Sequence, residues 1–558
     1  MREAALVALL FAAVTAAGEV YDRISIQQLP VLGAPKPGGY YEYRFAVRNE
    51  TVEAHKVRID IKSMTVVRTP GETHTSREFT VRPLSLETVR IPQYVSSQMY
   101  GPSEGRVTID GSEQREPLSI ARTSGTDSGL LPFVLVGRNV PQDVVMILLP
   151  GPPTGIAVRA DLPAAEWSDQ WIQYGQYDGV LLTTEDWTQL PPAVRSALLR
   201  WTAAGGTLTF LGMPGPLPVV MRQAVEAQNV AAWHSGFGTI AVLESQTEFP
   251  VPAVEELRTM WRRGKVNPET GQRMDDVLPI LDKTAIPIGS MFSVLVLFAV
   301  AGGPASLILL ARKEKRVWIF GTLPLLAIVT TVTVVGALIL NEGFARIQRT
   351  TTVTMLDEQH GEAATIGWIG FYATFPPNGE VRFDYDSEVQ PLFPTKDART
   401  DWTDGQRFLS GWVGSRVPSH FTLRKSEPRR ERVPIRIQGG RVYALNGLGV
   451  PITKLEVALA DGSVFEAQQL APGKEVTLRR NGTIPGAWKD PALLPGASTT
   501  WYSLASRVSN ESREYLRPGT YIAVLDKSPF VEQALEDPSR VTTQAVVIGT
   551  MKRMPNAS

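Results

Sequence analysis

Cysteine is missing from all 558 residues. Its absence excludes disulfides, thiolate metal sites and a cysteine nucleophile together. Histidine is scarce. The five present, His55, His74, His234, His360 and His420, lie far apart and form no His-Glu-x-x-His or comparable metal spacing. Net charge is also absent, because 56 Lys and Arg balance 56 Asp and Glu. With no long basic run either, nucleic acid is not an expected partner. No Gly-x-Ser-x-Gly elbow occurs in the chain, and Gly151-Pro-Pro-Thr-Gly155 lacks the Lys-Ser/Thr of a phosphate loop. The expectation is a non-enzyme, with no catalytic, cofactor-binding or metal-binding residue.

Two long apolar runs stand out against these absences. Residues 286–311 and 317–340 carry no charge until Arg312, and each exceeds the roughly 20 residues with which a helix crosses a hydrocarbon core of about 30 Å. Neither has the polar face of a soluble helix. The link 312–316 holds Arg312, Lys313, Lys315 and Arg316 against Glu314. Basic links stay cytoplasmic, so the pattern predicts a two-helix transmembrane hairpin with both large flanking parts extracytoplasmic. At the N-terminus, Met1-Arg-Glu precedes an apolar run from Ala4 to Ala13 and small residues to Gly18. That pattern predicts a signal peptide over 1–18, cleaved near Ala17 or Gly18; an uncleaved anchor would leave the domains on the same side. Without ionisable groups in the runs the hairpin reads as an anchor, not a pump or channel. Ala301, Gly302, Gly303 and Ala305 would let another helix approach closely. An exported chain without cysteine fits a bacterial inner membrane and envelope, where the sequons at Asn49, Asn481, Asn510 and Asn556 carry no meaning.

Around the runs, hydrophobic periodicity divides the chain. Residues 19–125 alternate with period two, as in Tyr40 to Arg48 and His55 to Lys62, and read as an antiparallel β-sandwich closed by a linker at Thr123 to Gly129. Residues 130–250 alternate strand and helix: Phe133 to Val136, Ile156 to Arg159, Asp178 to Leu182, then a helix from Pro191 or Pro192 with apolar face Val194, Leu198 and Trp201. Gly205-Gly206 ends that helix before the strand Thr207 to Leu211. Such units predict a parallel sheet covered on both faces. Residues 251–285 lead to the hairpin, and 341–558 are again β-rich, as one sandwich or two.

Tyr177-Asp-Gly-Val-Leu-Leu182, the helix ending Leu198-Leu-Arg-Trp201, Gly205-Gly-Thr-Leu-Thr-Phe210 and Gly236-Phe-Gly-Thr-Ile-Ala-Val resemble the class I glutamine amidotransferase-like (flavodoxin-like) domain. They are most similar to the degenerate version in bacterial membrane-anchored envelope proteins, where a β-sandwich precedes the domain and a hairpin with a Gly-Pro step, here Gly303-Pro304, follows it. The resemblance implies company with transport-type or von Willebrand-type membrane proteins. It does not carry over activity. Gly212-Met-Pro-Gly-Pro216 stands where the family's cysteine would be, and His234 is followed by Ser235 and Gly236 instead of the His-x-Glu pair.

Few residues invite chemistry. Asp357-Glu-Gln-His-Gly-Glu362 with Asp384-Tyr-Asp-Ser-Glu388 could offer oxygens to a hard cation, but the second lacks the glycine and spacing of a calcium loop, and solvated turns explain both. Trp167, Trp171, Tyr174, Tyr177 and Trp187 could stack on a ligand; at these spacings helix-to-sheet packing in an α/β domain is the favoured reading. Arg429 to Arg432 reads as a solvated charge run. The functional expectation is a non-catalytic, membrane-anchored envelope scaffold presenting its domains to a protein partner. The alternatives are an enzyme acting on an envelope polymer, supported if Asp357 and Asp384 faced each other across a cleft at glycosidase-like spacing, and an accessory subunit of an exporter.

Overall fold

The structure is a computed structural model that describes residues 18–552 except 34–37, 66–70, 96–98, 121–130, 152–154, 161, 219–221, 228–229, 244–250, 264–277, 282–287, 313–318, 343–344, 376–380, 393–396, 487 and 491–503. The expected signal peptide, the linker 123–129 and the basic residues 313–316 lie outside the described residues. Strand accounts for 47% of the chain and helix for 21%, so sheet pairing, not helix packing, organises the molecule.

Near the N-terminus, Glu19–Tyr21, Ile24–Leu29, Gly39–Asn49 and Leu86–Val95 form a four-stranded antiparallel sheet. Its partner sheet runs Gly71–Val81, His55–Thr65, Met99–Ile109 and Ser112–Glu113, and the last hairpin turns at Asp110-Gly111, both at positive φ (49° and 83°). That turn needs a left-handed conformation twice, which Asp and Gly tolerate. Residues from far along the chain complete this sheet. Arg399–Asp401 pairs in parallel with Gly71–Val81 (Thr400 opposite Thr75), and Gln406–Ser410 and Val381–Phe383 extend it outward. Two remote stretches therefore build one sheet.

The next unit is a seven-stranded sheet. Ile156–Arg159, Phe133–Val136, Gly179–Thr183, Thr207–Leu211 and Gly238–Leu243 are parallel; Val230–Ser235 and Arg222–Ala227 add an antiparallel end. The helix Pro192–Ala203 starts with proline at its first position and turns its buried Val194, Leu198 and Trp201 to the sheet. Gly238 is the tightest point beneath it: a Cβ there would lie 1.9 Å from the Thr202 carbonyl oxygen. The expectation of a flavodoxin-like domain is overturned. The sheet is mixed, and between Ile156–Arg159 and Gly179–Thr183 the described residues form the short turns Ala164–Glu166 and Trp171–Tyr174 and no covering helix. Those turns instead bury Trp167, Trp171, Tyr174 and Tyr177 in one core with Tyr40, Tyr41 and Phe45 of the N-terminal sheet.

The membrane hairpin is overturned as well. Among the described residues no helix is long and apolar enough to cross a membrane. The first run is broken into Ile288–Val300, a π-helical turn Ala301–Ala305 that contains Pro304, and Ser306–Arg312. Counting uncharged residues ignores this break: proline removes a backbone donor, and the Ser306 hydroxyl donates within the turn to the carbonyls of Gly302 (2.6 Å) and Gly303 (3.0 Å). The second run forms Ile319–Glu342, with Pro324 inside it. Gly302 faces Leu323 and Leu326 of this same chain, at 3.2 and 3.5 Å from where its Cβ would be. The two spans, the membrane as partner and the inner-membrane placement of the flanking domains lose the feature on which they rested.

The C-terminal part is a nine-stranded sheet in the order Ser387–Pro391, Ser419–Pro428, Glu362–Ala373, Arg346–Asp357, Arg540–Thr550, Thr520–Leu525, Ile452–Ala458, Ser463–Leu470 and Arg479–Thr483. Arg346–Asp357 and Arg540–Thr550 run parallel at its centre, and the other pairs are antiparallel. The hairpin Ile435–Gln438 to Arg441–Leu445, turned by Gly439-Gly440 at φ 57° and 71°, belongs to a small separate sheet.

Candidate functional site

The helix Pro192–Ala203 has a second face. Opposite its sheet-facing residues, Pro192, Arg195, Ser196, Leu199 and Ala203 recur at helical spacing and form one wall of a cleft of about 450 Å³. The facing wall comes from the nine-stranded sheet, with Met355, Leu356 and Asp357 at the end of one central strand, Ala363 and Ala364 on the next, and Ile548 on the parallel partner. Trp187, Leu217, Pro218 and Gly236 close the sides. Ligand clefts of this volume commonly lie where two structural units meet. Buried contacts hold the walls together, because Phe237 packs in one core with Val353, Met355 and Ile366.

The polar groups of the cleft are tied to local structure. Asp357 begins the turn between strands: its Oδ1 accepts from the backbone N–H of Gln359 (2.9 Å) and His360 (3.2 Å), and Oδ2 lies 2.7 Å from His360 Nδ1. Gly361, at φ 70°, closes the turn onto the Asp357 carbonyl (2.8 Å). An Asp three or four residues before a left-handed glycine is a turn device before it is a ligand. Glu362 lies 3.6 Å from Arg200 Nε. Burial raises its carboxyl above the usual range, the Arg200 charge opposes that rise, and Asp357 reinforces it. Arg195 is different. Its guanidinium lies over the buried Trp187 ring, 5.9 Å from the centroid, and among the described residues it has no carboxylate partner.

Asp384 does not join Asp357 in this cleft. It belongs to a neighbouring cluster where Lys425, 2% exposed, lies 3.1 Å from Asp384 and 3.4 Å from Glu427 and also bonds Glu532. Burial and a proton shared with Asp384 push Glu532 up to about 7, while Glu532 and Lys425 hold Asp384 low. Asp386 nearby is raised by burial. Glu388 is buried against Arg424 at 2.5 Å. The carboxylate pairing that would favour a glycosidase-like enzyme is therefore not assembled across an open cleft.

The histidines are dispersed. His74 lies 3.2 Å from Asp60, and His234 lies 3.2 Å from the Thr239 hydroxyl. His55 sits between Asp110 (2.7 Å) and the Thr51 hydroxyl (2.8 Å), a hydroxyl–imidazole–carboxylate order. Thr51 Oγ1 also lies 2.7 Å from Asn49 Oδ1 and 3.0 Å from the Glu53 carbonyl, so this group caps a hairpin. The Asn49 side chain is consumed by the same turn, donating to Glu53 and Arg82 carbonyls. Among the described residues no group of three or more His, Asp or Glu side chains is placed to hold a metal ion. Where the amidotransferase resemblance puts a nucleophile, Gly212 sits at φ 85° and Met213 points outward.

Sequence reasoning named Asp357, His360 and Glu362 but missed Arg195, Leu199 and the apolar wall. The available signal was Leu199: a large apolar residue on the helix face opposite Val194, Leu198 and Trp201 implies a second packing partner.

Comparison with known proteins adds little. No family model matches the chain, and no curated protein does. Among solved structures, the chain is similar to the X-ray structure of Northeast Structural Genomics Consortium target SoR45 (12% identity, 19% of this chain and 91% of that one, TM-score 0.15). It is also similar to the yeast delta-COP-I mu-homology domain (7% identity, 38% of this chain and 97% of that one, TM-score 0.20). At these TM-scores neither likeness carries an argument about fold or function.

Proposed function

We propose that this chain is a non-catalytic binding scaffold whose ligand site is the cleft between the helix Pro192–Ala203 and the nine-stranded sheet. One observation carries the reading: a preformed, mostly apolar cavity of about 450 Å³ in which the acidic groups are already engaged, Asp357 by its own turn and Glu362 by Arg200. Asp357, with both oxygens held by its turn, is a poor general base, yet the apolar wall remains open to a guest. A neutral, environment-sensitive dye such as Nile red tests it. Saturable fluorescence enhancement is expected, and Ser196→Trp, which fills the cleft from a half-exposed position, should abolish it without lowering the melting temperature. Dye binding that survives Ser196→Trp would sink the proposal.

A further inference from the structure

Resting on that reading, we infer that the cleft selects a small amphiphile carrying one negative charge, a carboxylate on an apolar body, and that Arg195 is the residue that selects it. The inference comes from charge accounting within one cavity. Of the charged side chains lining it, Asp357 is paired with His360 at 2.7 Å and Glu362 faces Arg200 at 3.6 Å. Arg195 is left over. Among the described residues its partner is the π face of Trp187, which leaves its N–H donors available. A carboxylate matches that fork in two parallel hydrogen bonds, which a hydroxyl cannot do. Behind Arg195 the wall turns apolar through Leu199, Leu217, Met355, Leu356 and Ile548. A chain of about eight carbons could lie there while its carboxylate stays at the Trp187 end. A cationic ligand would meet Arg195 and Arg200, and the acids lining the cleft already have partners in His360 and Arg200.

The full-length protein would be titrated calorimetrically with octanoate, octan-1-ol and octylammonium, below any micelle formation. Octanoate should bind at least about tenfold more tightly than octan-1-ol, consistent with a charge-assisted bidentate contact. Arg195→Gln should erase that preference, so that octanoate and octan-1-ol bind alike; Arg195→Lys, which keeps the charge but not the planar fork, should retain only part of it. Arg195 is half-buried on a helix surface, and the circular dichroism of both variants should match the parent. Equal affinity for octanoate and octan-1-ol, tighter octylammonium, or a preference surviving Arg195→Gln would each overturn the charge assignment while the cleft itself still binds. If neither octan-1-ol nor the neutral dye saturates, the binding-scaffold reading fails as well.

Discussion

Glu532 shows how much one buried carboxyl can shape stability. Its side chain is 20% exposed and sits between Lys425 and Asp384. Burial is the largest influence and the shared proton the next, together pushing it from 4.5 up to about 7 despite Lys425. The folded protein therefore keeps a proton that the unfolded chain releases, and linkage makes stability fall as pH rises through that interval. Its contribution is full below about pH 4.5 and is lost by about pH 7. Glu532→Gln imitates the protonated acid, with an amide still able to donate to Asp384 and an oxygen still facing Lys425. The difference in unfolding free energy, variant minus parent, should grow in the variant's favour by about 2 kcal/mol between pH 4.5 and 7.5. Urea titrations at several pH values measure it; a difference that does not change with pH would refute the assignment.

Among the elements, the most consequential pairing is the parallel one between Arg399–Asp401 and Gly71–Val81. Asp401 locks it. Its buried carboxylate takes Arg58 at 3.0 Å, the Ser76 hydroxyl at 3.0 Å and the Thr403 N–H at 3.0 Å. Asp401→Ala would leave a cation and two polar groups without that acceptor, at a cost of about 3 kcal/mol. Chemical denaturation of the variant checks this, and a loss under 1 kcal/mol would mean the strand is held by its backbone alone. Nothing local in the sequence announces that pairing, since Ser76 and Asp401 are far apart along the chain and three residues are too few to show periodicity. Elements whose causes are local were legible. The helix Pro192–Ala203 has its proline start, its Gly205-Gly206 stop and the face Val194, Leu198 and Trp201 all written within fifteen or so residues. The cleft was legible only in part. Asp357, His360 and Glu362 attract notice as polar groups, but Arg195 resembles any solvated arginine until Met355 and Ile548 are brought opposite it. The apolar run at 286–311 misled for a different reason: hydropathy sums composition and does not register that Gly302-Gly303-Pro304 interrupts the helix.

At the scale of the whole chain, one hydrophobic core crosses the boundaries suggested by periodicity. It runs without interruption from Tyr40 and Ile59 through Trp171, Trp201 and Phe210, and it includes Trp402 from the C-terminal part. Trp402 is fully buried, set edge-on to Tyr40 at 5.9 Å and near Tyr385 at 5.9 Å. The Tyr40 hydroxyl donates to the Val389 carbonyl at 2.7 Å, and Gln390 donates to the Gly38 carbonyl at 2.9 Å. Gly39 lets the two backbones meet, because a Cβ there would stand 2.5 Å from the Gln176 backbone. Residues near 40, 176 and 400 therefore share one joint, and a cleft spanning two units can keep its shape only if that joint is rigid. Truncating Trp402 to alanine should cost about 4 kcal/mol. Because the core is shared, the loss should extend beyond its own strand. Region-resolved hydrogen exchange should show protection falling together in His55–Thr65, Gly179–Thr183 and Gln406–Ser410. If exchange accelerates only around Gln406–Ser410 while Gly179–Thr183 stays as protected as in the parent, the N-terminal and C-terminal parts open separately. The walls of the cleft would then be free to part, and its shape could not be treated as preformed.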